Sequence, residues 1–257
     1  RDGRPPPVRA LADRPDTVVD RALDLIGFDT ANPPGATREI VEYLETVLSA
    51  VGIETERVVA DPAKPNLLAT LPGAREETLL YAGHLDTVPY DAFAWEHAPL
   101  GERVDDRVYG RGATDMKGAV AAMVETARAF AAAEAEPPVT LSFAFVADEE
   151  TSGDAGLPAV LDAGLDADAC VIGETTCEGG RHSVTVADRG SIWLTLEARG
   201  EGAHGSRPVL GENAIDRLYR GVETLRSDFG RRSLPVSPAV TSIVDESVEY
   251  YAPTVGE

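Results

Sequence analysis

The sequence predicts an α/β fold, in which a mostly parallel sheet carries helices on both faces. Helix-like and strand-like segments alternate along the chain as far as residue 172. The strand-like segments are apolar throughout, which indicates a sheet covered on both sides. In addition, polar clusters follow the ends of the strands, which is where an open α/β sheet binds its ligand.

The elements of this sheet follow one another in a regular order. Residues 16–28 and 38–51 carry apolar side chains at helical spacing, and the turn residues Asn32-Pro33-Pro34-Gly35 separate them. An alanine-rich helix is expected at residues 119–133. Strands are predicted at 53–59, 67–71, 78–82, 139–147 and 169–172, and the last of these is predicted to be short and buried.

The pattern changes near residue 188. Residues 191–198 alternate apolar and polar side chains like a strand with one wet face, and residues 213–229 form an amphipathic pattern. These segments predict a separate α+β unit, so we expect one domain at residues 1–188 and a second at 189–257. The second domain is expected to be incomplete at Glu257.

The composition excludes several classes of partner. The chain has 44 acidic and 23 basic residues among 257, a net charge of -21 that repels nucleic acids and anionic membranes. No apolar run reaches the roughly 18 to 20 residues of a membrane span, and the N-terminus shows no secretory signal, although a signal already removed stays open. Cys170 and Cys177 are expected to be buried free thiols of a cytoplasmic protein.

The basic residues are unevenly distributed, because Lys64 and Lys117 are the only lysines and the others are arginines. An acidic excess with few lysines is typical of a protein that stays soluble in concentrated salt, where ions screen its self-repulsion. A GC-rich genome would also favour arginine. A halophilic origin is therefore the hypothesis that the charge balance favours.

His84 and Asp86 follow the strand predicted at residues 78–82. Residues two apart at a strand end share a face, and an imidazole ligand is commonly oriented by a neighbouring carboxylate. The alternative is a loop histidine next to an aspartate that caps a turn.

Further along, the glycine-rich segment Gly110 to Gly118 opens the alanine-rich helix, and its spacing fits neither the Walker loop nor the GxGxxG motif of nucleotide-binding proteins. It either aims Asp115 into a site or only forms a tight turn.

Two further carboxylate clusters close predicted strands. Asp148, Glu149 and Glu150 follow residues 139–147, and Glu174 follows residues 169–172. Adjacent acids raise one another's pKa unless a cation offsets them, and in a metal site one can ligate while the other moves a proton. An exposed acidic loop is the alternative in so acidic a chain.

Together, the four clusters resemble the two-zinc family of acetylornithine deacetylase, succinyl-diaminopimelate desuccinylase, aminoacylase and carboxypeptidase G. The similarity runs from the first helix to at least residues 204–208. It implies that one zinc is held by His84 and Glu174, that Glu150 holds the other and that Asp115 bridges both.

The resemblance assigns roles to three further residues. Asp86 is expected to orient His84, Glu149 to be the general base, and His204 to bind the substrate carbonyl, although a surface-turn histidine is the alternative for His204. It also implies a cis peptide bond after Asp115 and a homodimer formed through the second domain. Cobalt or manganese is expected to be able to replace zinc.

The resemblance predicts metal-dependent hydrolysis of an amide bond in an N-acyl amino acid or small peptide, so the chain is expected to be an enzyme. One departure bears on this prediction. The family's second metal takes a final histidine from beyond the second domain, and no histidine follows His204 here. The alternatives are a non-catalytic or truncated relative that binds a small acylated ligand or a partner protein, and a structural acidic protein. The sequence does not indicate which acyl group or amino acid is recognised.

Overall fold

The computed structural model describes residues 5–12, 14, 16–175, 184 and 195–228. The chain forms two compact units, residues 1–175 and 176–257. The domain boundary predicted between residues 188 and 189 lies outside the described residues, as does Cys177.

The first unit contains five α-helices and seven strands among its described residues. The helices are α1 (Pro6–Ala12), α2 (Asp16–Ile26), α3 (Arg38–Ser49), α4 (Lys117–Ala132) and α5 (Leu157–Asp162). The strands are β1 (Glu54–Val58), β2 (Asn66–Leu71), β3 (Thr78–His84), β4 (Glu102–Val104), β5 (Arg107–Tyr109), β6 (Thr140–Val146) and β7 (Ala169–Ile172). Every helix and strand expected in this unit is present, whereas α1, α5 and the β4–β5 hairpin were not predicted.

The main sheet has five strands in the order β1-β2-β6-β3-β7. Strands β6, β3 and β7 pair in parallel, and β1, β2 and β6 pair antiparallel. The predicted α/β class is confirmed, although the sheet is mixed where a mostly parallel one was expected. The seven residues between β1 and β2 are too few for the crossover that parallel neighbours need, so these two strands form an antiparallel pair.

Helices cover both faces of this sheet. Alternate residues of β6 point to opposite sides, with Phe143 and Phe145 packing in the larger core under α2, α3 and α4. Ala144 and Val146 pack on the other side against Val160 of α5. The apolar strand patterns reflect this double burial, as the sequence indicated.

The prediction that β7 is buried was wrong. Val171 is 45% exposed and Ile172 is 60% exposed, and Cys170 is an exposed free thiol. The reason lies in the sheet order, because among the described strands β7 is the outermost one and has β3 as its one neighbour. An apolar strand sequence by itself does not distinguish an edge strand from a central one.

The second unit contains a short 3-10 helix, Pro208–Leu210, and the helix α6 (Ala214–Asp228). Helix α6 matches the amphipathic helix predicted at 213–229, of which residue 229 lies outside the described residues. Of the strand predicted at 191–198, the described residues 195–198 have no regular secondary structure. Across the described parts of the chain, no helix combines the length and apolar character that crossing a membrane requires.

Candidate metal centre

The candidate residues of the first unit gather at one edge of the main sheet. His84 is the last residue of β3, Asp148 follows the end of β6 by two residues, and Glu174 follows the end of β7 by two. These three strands are parallel, so their C-terminal ends lie side by side. Asp115 reaches the same edge from the turn before α4.

Three side chains converge on one point. The Nε2 atom of His84 lies 2.9 Å from Asp115 Oδ1 and 3.3 Å from Glu174 Oε1. All three potential ligand atoms lie within 4.8 Å of one another. The imidazole is buried, whereas the side chains of Asp115 and Glu174 are 58% and 42% exposed. The group is therefore anchored in the sheet and open to solvent on its carboxylate side.

The main chain fixes which nitrogen of His84 faces this group. Nδ1 lies 2.9 Å from the backbone oxygen of Asp86, which only accepts, so Nδ1 carries the hydrogen and Nε2 is left for a metal. Burial opposes a charged ring, but hydrogen bonding and the negative charge of Glu174, with Asp86, raise the pKa of His84 to about 9. A metal therefore competes with a proton at Nε2.

Asp86 has two separate functions in the structure. Its backbone oxygen orients His84, whereas its carboxylate oxygen Oδ1 lies 3.7 Å from Nδ1. The carboxylate accepts hydrogen bonds from the backbone N–H groups of Glu149 and Glu150 at 3.1 and 3.2 Å. The orienting role predicted for Asp86 toward His84 remains a prediction, and the carboxylate of Asp86 in addition holds the segment that carries the two glutamates.

Glu149 lies beside the converging group without belonging to it. Its Oε2 is 3.9 Å from His84 Nε2, and its side chain is 55% exposed. Burial raises the pKa of Glu149, and so do the charges of Glu174, Asp86 and Asp115, while His84 opposes the shift. A raised pKa makes a carboxylate a stronger base at neutral pH.

Glu150 points to a different neighbour. Its Oε1 accepts a hydrogen bond from the backbone N–H of Val88 at 3.1 Å, and the three-residue group does not include it. Burial and the charge of Asp115 raise the pKa of Glu150, so the two carboxylates interact. The structure thus places Glu150 close enough to Asp115 for the two negative charges to repel each other.

The glycine-rich turn shapes the base of the group. The Asp115–Met116 peptide bond is cis, as predicted. Met116 is fully buried and its sulfur accepts the backbone N–H of His84 at 3.2 Å. Lys117 is also buried and donates to the backbone oxygen of Phe28 at 2.6 Å, and burial lowers the pKa of Lys117 to about 8.

Two residues near the group were missed by the sequence interpretation. Asn32 is 3% exposed and donates to the carboxylates of Asp86 and Asp148. Lys64 forms an ion pair with Asp148. The scarcity of lysine was the signal for Lys64, because Lys64 pairs with the buried Asp148 and the other lysine, Lys117, is itself buried. Asn32 was interpreted only as part of a chain turn.

His204 lies in the second unit and is exposed. Its Nδ1 accepts the backbone N–H of Ser206 at 3.2 Å and lies 2.9 Å from the Ser206 hydroxyl oxygen. In the neutral ring this leaves the hydrogen on Nε2, which can donate to a ligand oxygen. The predicted role of His204 in substrate binding remains a prediction.

The group of His84, Asp115 and Glu174 fits a zinc ion by its donor chemistry. Zinc takes imidazole nitrogen and carboxylate oxygen at about 2.0–2.2 Å, so tetrahedral ligand atoms lie about 3.3 Å apart. The separations of 2.9 and 3.3 Å from His84 Nε2 are close to that spacing. A hydrogen bond from His84 lowers the pKa of Glu174 although burial opposes it, so this carboxylate is ionised, as a ligand must be.

The chain is similar to known proteins over most of its length. Residues 80–253 match the model of peptidase family M20/M25/M40. A succinyl-diaminopimelate desuccinylase of Rhodospirillum centenum is 35% identical over 244 residues, covering 89% of this chain and 62% of that protein. The succinyl-diaminopimelate desuccinylase of Xanthobacter autotrophicus is 36% identical, covering 82% of this chain and 60% of that protein. The chain therefore spans about three fifths of the length of these curated relatives.

Solved structures show the same fold. An M20 family metallo-carboxypeptidase from Sulfolobus solfataricus superposes with a TM-score of 0.62 at 19% identity, covering 88% of this chain and 62% of that one. Human carnosine dipeptidase 1 superposes with a TM-score of 0.56 at 26% identity, covering 65% of this chain and 40% of that one.

Proposed function

This chain belongs to peptidase family M20/M25/M40, and from that premise we propose that it hydrolyses an amide bond in a metal-dependent reaction. The substrate class is an N-acyl amino acid or a small peptide. The observation that carries the proposal is the convergence of His84, Asp115 and Glu174 next to Glu149. The names of the relatives favour a deacylase of the desuccinylase type.

In this proposal His84 and Glu174 would hold one zinc, Glu150 would hold a second, and Asp115 would contribute to both. Cobalt or manganese can replace zinc at such oxygen- and nitrogen-rich sites. Bound metal supplies Lewis acidity to the substrate carbonyl and lowers the pKa of water at the site. Residues 1–188 form the catalytic domain in this scheme, and residues 189–257 belong to the second domain.

Glu149 acts as the general base in this scheme. Its carboxylate takes a proton from the attacking water and gives it to the leaving nitrogen, so the products are a carboxylic acid and an amine. Two features support the role. Its carboxylate is outside the ligand group but only 3.9 Å from His84 Nε2, and its backbone is held by Asp86.

His204 is proposed to donate from Nε2 to the substrate carbonyl or to a substrate carboxylate. Ser206 supports this role, because its contacts with Nδ1 leave the Nε2 hydrogen free to point away from the turn.

Three further proposals derive from the sequence. They are homodimer formation through the second domain, a cytoplasmic location and adaptation to concentrated salt.

The proposal is tested by metal removal and restoration. The chain is dialysed against a chelator, supplied with zinc, cobalt or manganese, and assayed for amine release from N-succinyl-diaminopimelate, N-acetylornithine and simple dipeptides. We expect hydrolysis that chelation abolishes and metal restores. The matched variants are His84→Ala, expected to be inactive, and His97→Ala, expected to be active because His97 pairs with Glu102 and does not belong to the group of His84, Asp115 and Glu174.

Three results would contradict the proposed function. The first is substrate binding without amine release under every metal condition, which would favour a binding protein. The second is hydrolysis that survives complete metal removal. The third is normal turnover in His84→Ala.

A further inference from the structure

The segment that carries Glu149 and Glu150 begins with an unusual backbone conformation. Asp148 has a φ of 64°, in the left-handed region that residues other than glycine rarely adopt. The turn then closes on itself, because Gly153 N–H donates to the Asp148 backbone oxygen at 2.9 Å. A Cβ at Gly153 would lie 1.8 Å from Asp148 Oδ2, so this glycine leaves the space that the carboxylate fills. Such a conformation persists where surrounding contacts hold it.

Asn32 supplies contacts of this kind from a distant part of the chain. Its Nδ2 lies 2.8 Å from Asp86 Oδ2, 3.1 Å from Asp148 Oδ1 and 3.1 Å from Thr151 Oγ1. Because Asp86 and Asp148 present carboxylate oxygens, only the nitrogen of the carboxamide can face them. The amide therefore joins two buried acidic side chains, which are 0% and 6% exposed.

These two acidic side chains reach the glutamate segment by different routes. Asp86 accepts the backbone N–H groups of Glu149 and Glu150, the latter through the same Oδ2 that accepts from Asn32. Asp148 immediately precedes both glutamates and is also paired with Lys64. Asn32 thus contacts both Asp86, which accepts the backbone N–H groups of the two glutamates, and Asp148, with which the turn of the glutamates begins.

The position of the Asn32 side chain is itself restricted. Gly35 has a φ of 68°, and a Cβ there would lie 2.5 Å from Asn32 Cγ. The backbone of this turn therefore packs directly on the carboxamide. On the other side, Asn32 N–H donates to the Thr87 backbone oxygen at 2.8 Å, which ties the turn to the segment after β3.

We propose that Asn32 is a positioning residue for the Glu149–Glu150 segment, in which its amide links Asp86 to Asp148 and so fixes the backbone of both glutamates. The catalytic consequence rests on the proposed function, because it requires Glu149 to be the general base. The structural consequence does not depend on it. Among the described residues, the side chain of Asn32 hydrogen-bonds to Asp86, Asp148 and Thr151 and to none of His84, Asp115 and Glu174.

The structural consequence is tested by amide hydrogen exchange on the full chain supplied with zinc. Peptides covering residues 148–153 and residues 78–84 are compared in Asn32→Ala and in Tyr43→Phe. The second variant is the control, because Tyr43 bonds to Asp24 and Arg21 on the helices and not to the site. Exchange in each variant is referred to its own free energy of unfolding.

We expect residues 148–153 to exchange about tenfold faster or more in Asn32→Ala than in the control. The reason is that losing one hydrogen bond to a charged group changes the equilibrium for local opening by about tenfold. Residues 78–84 are expected to exchange alike in both variants. Equal exchange of residues 148–153 in the two variants would overturn the proposal. Should Asn32→Ala not fold, Asn32→Ser provides the same comparison with a smaller loss of volume.

The catalytic consequence is tested by steady-state kinetics on the substrate that the parent chain hydrolyses. Misplacing a reacting group by about 1 Å costs up to about a hundredfold, so we expect kcat in Asn32→Ala to fall by about tenfold or more. KM is expected to change by less than about threefold, because Asn32 is buried and its side chain bonds to Asp86 and Asp148 rather than facing solvent. Unchanged kcat together with faster exchange would overturn the catalytic consequence.

The two measurements separate the proposals from each other. If the parent chain hydrolyses no amide under any metal condition, the proposed function fails, and hydrogen exchange still decides whether Asn32 positions the segment. If the parent chain is active but exchange at residues 148–153 is insensitive to Asn32, only the positioning role fails.

Discussion

Replacing Glu149 by glutamine removes the ionisable group of the candidate base and preserves its size. The structure indicates that the change is local. The side chain is 55% exposed, and the hydrogen bond that holds this residue runs from its backbone N–H to Asp86. Exposed substitutions of this kind change the free energy of unfolding by less than about 0.5 kcal/mol. The residue is also outside the group of His84, Asp115 and Glu174, so bound zinc is expected to be retained.

The expected loss of activity is large by comparison. A general base accelerates proton transfer by about a hundredfold or more. We therefore expect kcat for amide hydrolysis to fall at least about a hundredfold, which corresponds to about 2.7 kcal/mol in the activation barrier. Glutamine cannot accept the proton of water, and no change at the ligands accompanies the substitution.

The assay measures kcat, zinc content and thermal stability on the same preparations. The matched control is Glu102→Gln, which makes the same chemical change where a glutamate pairs with His97. This control is expected to retain parental kcat. Near-parental turnover in Glu149→Gln would refute the assignment of the base, and loss of zinc would show that Glu149 is a ligand.

Three further outcomes are expected. Metal analysis after exhaustive dialysis should find at most one tightly bound zinc per chain, at His84, Asp115 and Glu174, because the proposed second position has only Asp115 and Glu150, one protein ligand fewer than a catalytic zinc normally keeps, and two tightly held zincs would reveal a further ligand. The melting temperature should rise between low salt and molar KCl, because a charge of -21 repels itself, and a flat or falling series would contradict the halophilic hypothesis. In denaturant titrations Phe143→Ala should cost about 3–5 kcal/mol because Phe143 is fully buried, whereas Phe93→Ala should change stability little because Phe93 is fully exposed.

Much of the fold follows from local pattern. Segments with apolar side chains at helical spacing became α2 and α3, and continuous apolar runs became β2, β3 and β6. The helices could be predicted because the burial of their side chains repeats with the helical period, and the strands because a sheet covered on both faces buries every side chain. The exposure of β7 could not be predicted from the sequence, because an edge strand and a central strand can have the same sequence and differ only in their neighbours.

The candidate site was predictable for a related reason. His84, Asp148 and Glu174 each lie at or just after the end of a strand, and parallel strands bring such ends together. The sequence also led, through family resemblance, to the cis bond after Asp115. The ligand roles of His84, Asp115, Glu150 and Glu174 stay predictions until a metal is measured.

By itself, the sequence determined which carboxylates and which imidazole end the strands, and so which chemistry meets at the edge of the sheet. Only the tertiary structure decided how these groups are held. Asn32 and Asp148 are 116 residues apart and share a hydrogen bond, and the carboxylate of Asp86, whose Oδ1 lies 3.7 Å from His84 Nδ1, also accepts the backbone N–H of Glu149. Such contacts depend on the packing of distant turns, and no local period of the sequence encodes the distance between them.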